Sequence, residues 1–372
     1  MQAEAAIKTI IKPADIKIDG DRPWDIQVHD SRIYKRVLAT GSLGLGDAYM
    51  DGWWDCQRLD ELFDRILRAD LRSQIKGNWQ IMFGALRAVA TNMQSPSRAF
   101  QIGKQHYDVG NDLFSAMLDP YMIYSCGYWN EAKTLAAAQE AKLKLICEKL
   151  GLKSGMKLLD IGCGWGGLLR YAAEHYGVQG VGVTVSKEQA ELARKLAGNL
   201  PVEIKLQDYR DTTGHFDRVV SVGMVEHVGY KNYRTFMEVA HRVLRDGGLF
   251  LLHTIGGNVS VRTNDPWIEK HIFPNSMIPS VAQIGRSIEN LFVMEDWHNF
   301  GTDYDKTLMS WHQNFEAAWP ELSRQNPKYD ERFHRMWRYY LLCSAGSFRS
   351  RENELWQVVL SKGYFERYQP VR

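Results

Sequence analysis

Between Leu158 and Gly167 the chain reads Leu-Leu-Asp-Ile-Gly-Cys-Gly-Trp-Gly-Gly: an apolar strand ending in Asp160, a D-x-G-x-G-x-G turn, and helical text directly behind it. Glycine is required where backbone must come close to a ligand, and the N-terminus of the following helix offers free N–H groups to a carboxylate or phosphate. The spacing narrows the choice. A dinucleotide site needs G-x-G-x-x-G and an acid about 20 residues further on, at the end of the second strand. Here Gly166 comes one residue early, and the second strand closes on Val183-Thr184-Val185-Ser186 without a carboxylate, so hydride chemistry is disfavoured. Asp208-Tyr209 follow the third strand, and Glu226 and His253 fall just past the fourth and fifth, the edge where open α/β sheets bind ligands. Each titratable group also has a plain reading when taken alone. His253 reads as a satisfied core histidine, Glu226 as a helix-start acid, Cys126 and Cys343 as small buried hydrophobes and Tyr304 as a packing ring.

The elements that must position these residues follow from periodicity. Apolar strands (MKLLDIG, VQGVGVTVS, VEIKLQDY, FDRVVSVG, LFLLHTIG) alternate with helical stretches (LLRYAAEHY, SKEQAELARKLAG, YKNYRTFMEVAHRVL), which predicts a doubly wound, mostly parallel sheet. A Pro- and aromatic-bearing excursion between Gly256 and His298 reads as a lid or pocket wall, with two helices and the strand LWQVVLSKG behind it. Ahead of the sheet, RAVATNMQSPSR (residues 86 to 98 lie within it or adjoin it) reads as a linker after a small segment. That segment has β-like text at Asp25 to Val28 and Arg32 to Leu38, a glycine-punctuated turn GSLGLGDAYMDGWWD, and an amphipathic helix from Leu59.

Length and composition set the outer bounds. At 372 residues, 45% apolar and 24% charged, the chain is a globular protein with room for two domains. A net charge of +2 supplies no global field for nucleic acid. Five scattered cysteines without a CxxC pair indicate neither a disulfide framework nor a zinc site, so no metal is expected and a reducing cytoplasm is the natural compartment. No apolar run suits a signal peptide or a spanning helix. An aromatic content of 12%, with 12 Trp, fits either an aromatic core or an apolar ligand groove. From Arg65 to Lys104, seven basic residues face one acid, Asp70, interleaved with Leu67, Leu71, Ile75 and Trp79; this basic amphipathic stretch suits an anionic lipid surface.

The glycine spacing resembles the S-adenosylmethionine loop of class I methyltransferases. Nearly the whole chain is similar to the cyclopropane-fatty-acyl-phospholipid synthases, relatives of the mycolic acid cyclopropane synthases, through GSLGLGDAYMDGWWD, HYDVGNDLFSAMLDPYMIYSCGYW, LLDIGCGWGG, GVTVSKEQ, SVGMVEHVG, LLHTIG, DPWIEKHIFPN, MEDWHNFGTDYDKTL and LWQVVLSKG. Only the first forty residues match loosely. The resemblance implies an α/β fold, a Rossmann-like seven-stranded sheet at residues 99–372 with a lipid-pocket insertion at about 256–300. It also implies an α+β accessory domain at 1–85 that serves lipid handling and dimerisation. The reaction it implies is methyl transfer from S-adenosylmethionine to a cis double bond of a phospholipid acyl chain, with ring closure by proton loss; a relative leaving a methyl or methylene branch is the alternative. Carried over residue by residue, the donor is met by Tyr124, Ser125, Leu158, Leu159, Asp160, Ile161, Gly162, Cys163, Gly164, Trp165, Gly166, Thr184, Val185, Ser186, Lys187, Glu188, Gln189, Asp208, Tyr209 and Val222. Thr184, Ser186 and Gln189 stand where other methyltransferases carry the ribose-binding acid. Cys126, Glu226, His253, the backbone of Ile255 and Tyr304 match positions that hold a bicarbonate ion acting as base; Cys343 ranks last, because direct transfer needs no thiol. The expected setting is a cytoplasmic homodimer attached peripherally to the inner face of the cell membrane.

Overall fold

The computed structural model describes residues 2–71, 110–363 and 366–372. The expected linker and most of the basic stretch lie outside them. The chain forms two compact units that do not follow sequence order: one gathers the N-terminal segment with 263–274 and 304–353, the other holds most of the rest.

The second unit is built on a seven-stranded sheet. Its strands are β3 (Lys157–Ile161), β4 (Gln179–Thr184), β5 (Val202–Leu206), β6 (Phe216–Val222), β7 (Leu244–Gly257), β8 (Val293–Asn299) and β9 (Asn353–Ser361), in the order β5-β4-β3-β6-β7-β9-β8. β3 pairs in parallel with β4 and β6, β6 in parallel with β7, and β8 runs antiparallel to β9. The central strands are apolar runs because helices cover both faces of a parallel sheet. Successive residues alternate between the two cores: Leu159, Val219 and Phe250 pack in one, Leu158, Val220 and Leu251 in the other. Helices α6 (Leu135–Lys149), α7 (Gly167–Tyr176), α8 (Lys187–Ala197) and α9 (Tyr233–Val243) contribute Ile146, Leu169, Ala193 and Phe236 to those cores. The chain winds outward from β3 to β5 and then crosses to β6 on the other flank of β3. That reversal leaves a crevice at the carboxyl ends of β3 and β6.

One strand escapes the sequence reading. Val293–Asn299 (VMEDWHN) carries Glu295-Asp296 where strand text is expected to be apolar; Asp296 is buried because Arg372 pairs with it at 2.6 and 2.7 Å and Lys149 lies 3.6 Å away. The excursion from Gly256 is thus partly sheet, and it also supplies α10 (Pro266–His271) and α11 (Val281–Ile288).

In the first unit two expectations give way. Arg32 to Leu38 is not a strand: Arg32–Thr40 is a helix, α2, with Ile33 and Tyr34 buried and Val37 half-buried on one face, a spacing of one and four that a strand could not satisfy. The strand text there shrinks to β1 (Gln27–Val28), paired with β2 (Trp54–Asp55). The glycine-punctuated segment is likewise not a turn but helix α3 (Ser42–Met50). Its glycines serve close approach, since a Cβ on Gly46 would collide with the ring of Trp267. Helix α4 (Leu59–Arg68) forms as read, and α12 (Thr302–Gln325) and α13 (Glu331–Arg349) complete the unit. Much of the aromatic content is core: Trp54, Trp267, Trp311, Trp337 and Trp356 are fully buried, and Tyr49, Trp54, Trp267 and Tyr339 pack ring against ring.

Candidate active site

The glycine turn is fixed by the strand beside it. The N–H groups of Gly162 and Cys163 both donate to the Val183 carbonyl, at 2.9 and 3.1 Å, binding the turn to the end of β4. Gly162 sits at φ +86°, and a Cβ there would collide with Met224, so the position demands glycine twice over. The turn opens onto a cavity at the carboxyl ends of β3, β4 and β6.

Thirteen of the sequence-derived donor residues line that cavity: Tyr124, Ser125, Asp160, Gly162, Cys163, Gly164, Trp165, Thr184, Val185, Gln189, Asp208, Tyr209 and Val222. Seven do not. Leu158, Leu159 and Ile161 are strand core that holds the turn from behind, and Gly166 caps α7. Ser186 caps α8, its hydroxyl accepting from Gln189 N at 3.3 Å. Lys187 and Glu188 are exposed on the first turn of that helix. The polar wall is already ordered: Thr184 Oγ1 donates to Gln189 Oε1 at 3.0 Å and accepts from Ser186 N at 3.2 Å. The Arg210 side chain grips both oxygens of Asp208 at 2.8 Å, which aims that carboxylate.

Sequence reasoning missed several lining residues, among them Met122, Lys142, Gln207, Met224 and His227. Lys142 had a signal. With Ala138, Leu145, Ile146 and Lys149 it lies on the apolar stripe of α6, where an exposed lysine would not fall.

Beside this cavity, Glu226 follows β6 and His253 lies in β7, opposite Val222 in the register. Both are buried. Glu226 Oε1 accepts the Ile255 N–H at 2.7 Å, so that N–H is already taken, while among the described residues Oε2 has no hydrogen-bond partner. Burial lifts the Glu226 carboxyl to about 7 against hydrogen bonds from the backbone and from the Thr254 side chain, which favour its charge. His253 is held well below the usual imidazole range, first by burial and then by the charges of Lys142 and Lys149, so its ring is neutral. The Gln357 amide donates to Nδ1 at 3.3 Å, which leaves the ring proton on Nε2, and among the described residues Nε2 also lacks a partner. A buried acceptor and a buried donor thus stand ready with unused capacity. Phe300 packs edge-on to His253 with ring centroids 6.0 Å apart and also meets Tyr128 at 5.2 Å, which keeps the surroundings apolar. Cys126 is fully buried, its thiol donating to the Gly127 carbonyl at 3.1 Å.

Tyr304 and Cys343 belong to the other compact unit. Tyr304 stacks on Phe348 with centroids 4.4 Å apart; Cys343 donates to the Tyr340 carbonyl at 3.4 Å, and burial pushes its thiol well above the ordinary range, the reverse of what a nucleophile needs. Among the described residues no group of three or more His, Cys, Asp or Glu could hold a metal ion, and no helix is long and apolar enough to cross a membrane.

Residues 94–358 match the family model described as mycolic acid cyclopropane synthetase. The chain is 55% identical over 354 residues to the cyclopropane-fatty-acyl-phospholipid synthase of Escherichia coli K12, covering 95% of this chain and 92% of that one. The chain belongs to the cyclopropane synthase family. Solved structures agree with this membership. The cyclopropane synthase MmaA2 of Mycobacterium tuberculosis superposes with a TM-score of 0.66 at 31% identity, over 71% of this chain and 98% of that one. The mycolic acid cyclopropane synthase CmaA1, solved with SAH and CTAB, gives a TM-score of 0.64 at 32% identity, over 71% and 98%. The cyclopropane synthase fold is that of the class I S-adenosylmethionine-dependent methyltransferases, and S-adenosylmethionine is the methyl donor of the family.

Proposed function

We propose that the protein transfers a methyl group from S-adenosylmethionine to the cis double bond of an unsaturated acyl chain in a membrane phospholipid. The products are a cyclopropane ring, S-adenosylhomocysteine and a proton, and Cys126, Glu226 and His253 form the place for a bicarbonate base, with Ile255 acting through its N–H bond to Glu226. The observation that carries this reading is the pair of buried polar atoms without partners among the described residues, Glu226 Oε2 and His253 Nε2, beside the glycine-turn cavity. The donor, when bound, supplies an electrophilic methyl on a sulfonium, and bicarbonate supplies a small base. Bicarbonate suits the pair because it carries both an oxygen to accept from Nε2 and a hydroxyl to donate to Oε2.

The chain's own residues do the rest. Thr184, Gln189 and Asp208 are pre-ordered to meet the polar groups of the donor, and Trp165 and Tyr209 supply flat apolar surface. An alkene is a poor nucleophile, and adding a methyl to it leaves a carbocation, so water must be kept away. The rings of Phe300 and Tyr128 beside His253 favour a dry setting. A base held by Glu226 and His253 would take the proton that the cation must lose as the ring closes.

Because the substrate lies in a bilayer, the reading includes peripheral attachment to an anionic membrane surface from the cytoplasmic side, and a homodimer. Arg65 and Arg68 are engaged within their own unit, Arg65 over the Trp24 ring and Arg68 with Asp64 and the Arg349 carbonyl. Lipid attraction is therefore assigned to the stretch from Arg72 onward, and Arg72→Glu with Lys76→Glu should weaken co-sedimentation with anionic vesicles.

The deciding experiment incubates the protein with methyl-labelled S-adenosylmethionine, bicarbonate and vesicles of cis-monounsaturated phospholipid, followed by mass spectrometry with ring-versus-alkene analysis. A gain of one CH2 equivalent with the double bond gone is expected. The same gain with an alkene retained would overturn ring closure, and no gain would overturn the reading as a whole.

A further inference from the structure

Helix α6 carries two fully buried lysines, Lys142 and Lys149. Lys149 is matched, lying 3.0 Å from His298 Nδ1 and 3.6 Å from Asp296. Lys142 is matched differently. Its ammonium donates to Ser125 Oγ at 3.0 Å, and among the described residues no carboxylate stands at ion-pair distance from it. An ammonium has three donors, and this one lines the donor cavity with a single hydrogen bond among the described residues. Asp160 lines the same cavity, and among the described residues its Oδ1 has no hydrogen-bond partner. Two opposite charges therefore share the cavity floor without touching.

The other titratable groups in reach of Lys142 are Asp119, Cys126 and His253. Asp119 is the charge that favours the Lys142 ammonium most, and its oxygens also accept from Tyr121 N and Ile123 N at 2.8 Å each, which fixes the turn leading to Ser125. His253 is neutral. Among the described residues Lys142 is the charge acting on Asp160; even so, burial lifts its carboxyl to about 7. A buried carboxylate without a counter-charge neutralises itself.

We propose that Lys142 is a positioning residue for methyl transfer, a buried cation that fixes the Ser125 hydroxyl and supplies the counter-charge for Asp160 across the cavity floor. The inference rests on the reading of that cavity as the methyl-donor site. Gln139 supports the arrangement from the same helix, donating to the Ser125 carbonyl at 2.8 Å.

The test is calorimetric binding of S-adenosylhomocysteine to the full chain from about pH 6 to pH 9, for the wild type, Lys142→Met, Asp160→Asn and the double variant. Without Lys142 the Asp160 carboxyl should hold its proton to higher pH. Lys142→Met is expected to weaken binding about tenfold or more near pH 7, with the deficit closing as pH rises. In the Asp160→Asn background the same lysine change should cost little. A Lys142→Met variant that keeps the wild-type pH profile, or effects that simply add in the double variant, overturns the proposal. If Lys142→Met does not fold, Asp160→Asn decides: a flattened profile supports the proposal and an unchanged one overturns it. A wild type that fails to bind S-adenosylhomocysteine would sink the cavity reading and the inference with it, whereas binding with unaltered profiles sinks only the role of Lys142.

Discussion

The donor cavity and the Glu226–His253 pocket lie along one edge of the same sheet and are built in opposite ways. In the cavity most polar groups already have partners: Thr184 with Gln189 and Ser186, Asp208 with Arg210, and the glycine turn with the Val183 carbonyl. In the pocket Glu226 Oε2 and His253 Nε2 are buried with none among the described residues. The difference follows the demands of the two jobs. A large polar donor is recognised best by groups whose orientation is set beforehand, since ordering them on binding would cost entropy. A small ion is held by groups that have kept their hydrogen-bonding capacity for it, at the expense of stability in its absence.

If the two pockets are separable, Glu226→Gln should lower turnover about 10²- to 10⁴-fold while S-adenosylhomocysteine affinity stays within about twofold. Product mass spectrometry and calorimetry check this, and an equal loss of affinity would erase the distinction. The same variant tests the stability side. Glu226 titrates at about 7 in the folded protein against 4.5 for an ordinary Glu, so the folded state binds more protons between those values and its stability falls as pH rises through that window. In bicarbonate-free buffer, Glu226→Gln should remove a loss of order 3 kcal/mol between about pH 5 and pH 8, read from denaturant midpoints. In the cavity, Gly162→Ala should cost about 1–3 kcal/mol of stability and weaken S-adenosylhomocysteine binding, because it meets both a left-handed backbone and Met224. Gly164→Ala, at φ +54° with open space around it, should cost less in the same melting experiment. Thr184→Val removes one ordered hydroxyl and should lower affinity by about 1 kcal/mol without touching turnover at saturating donor. Cys343→Ala should change turnover by less than about twofold; a larger loss would bring that thiol back as a reactive group.

The cavity was legible because its residues are neighbours in sequence. The Asp160 to Gly167 turn, the Thr184 to Gln189 strand end and Asp208-Tyr209 each combine a strand terminus with a cap or turn, and local spacing carries that information. Reading stopped at the residues that only packing brings in. Lys142 arrives from a helix preceding β3, and Met224 and His227 from the turn after β6. Propensity also misled where tertiary contacts ruled: Arg32–Thr40 holds β-branched and aromatic residues yet is helical, because Ile33, Tyr34 and Val37 share one face. β8 was hidden by Glu295 and Asp296, acids that a strand can carry only where Arg372 and Lys149 stand opposite Asp296.

The sequence by itself determined the alternation of strands and helices, the glycine turn and the absence of an acid after β4, since these depend on periodicity and on the steric needs of single residues. Tertiary structure decided which polar atoms are left without partners, which lysines are buried, and how segments far apart in the chain gather into one unit. Those outcomes depend on solvent exclusion and on charges meeting across hundreds of residues, and no local pattern encodes either.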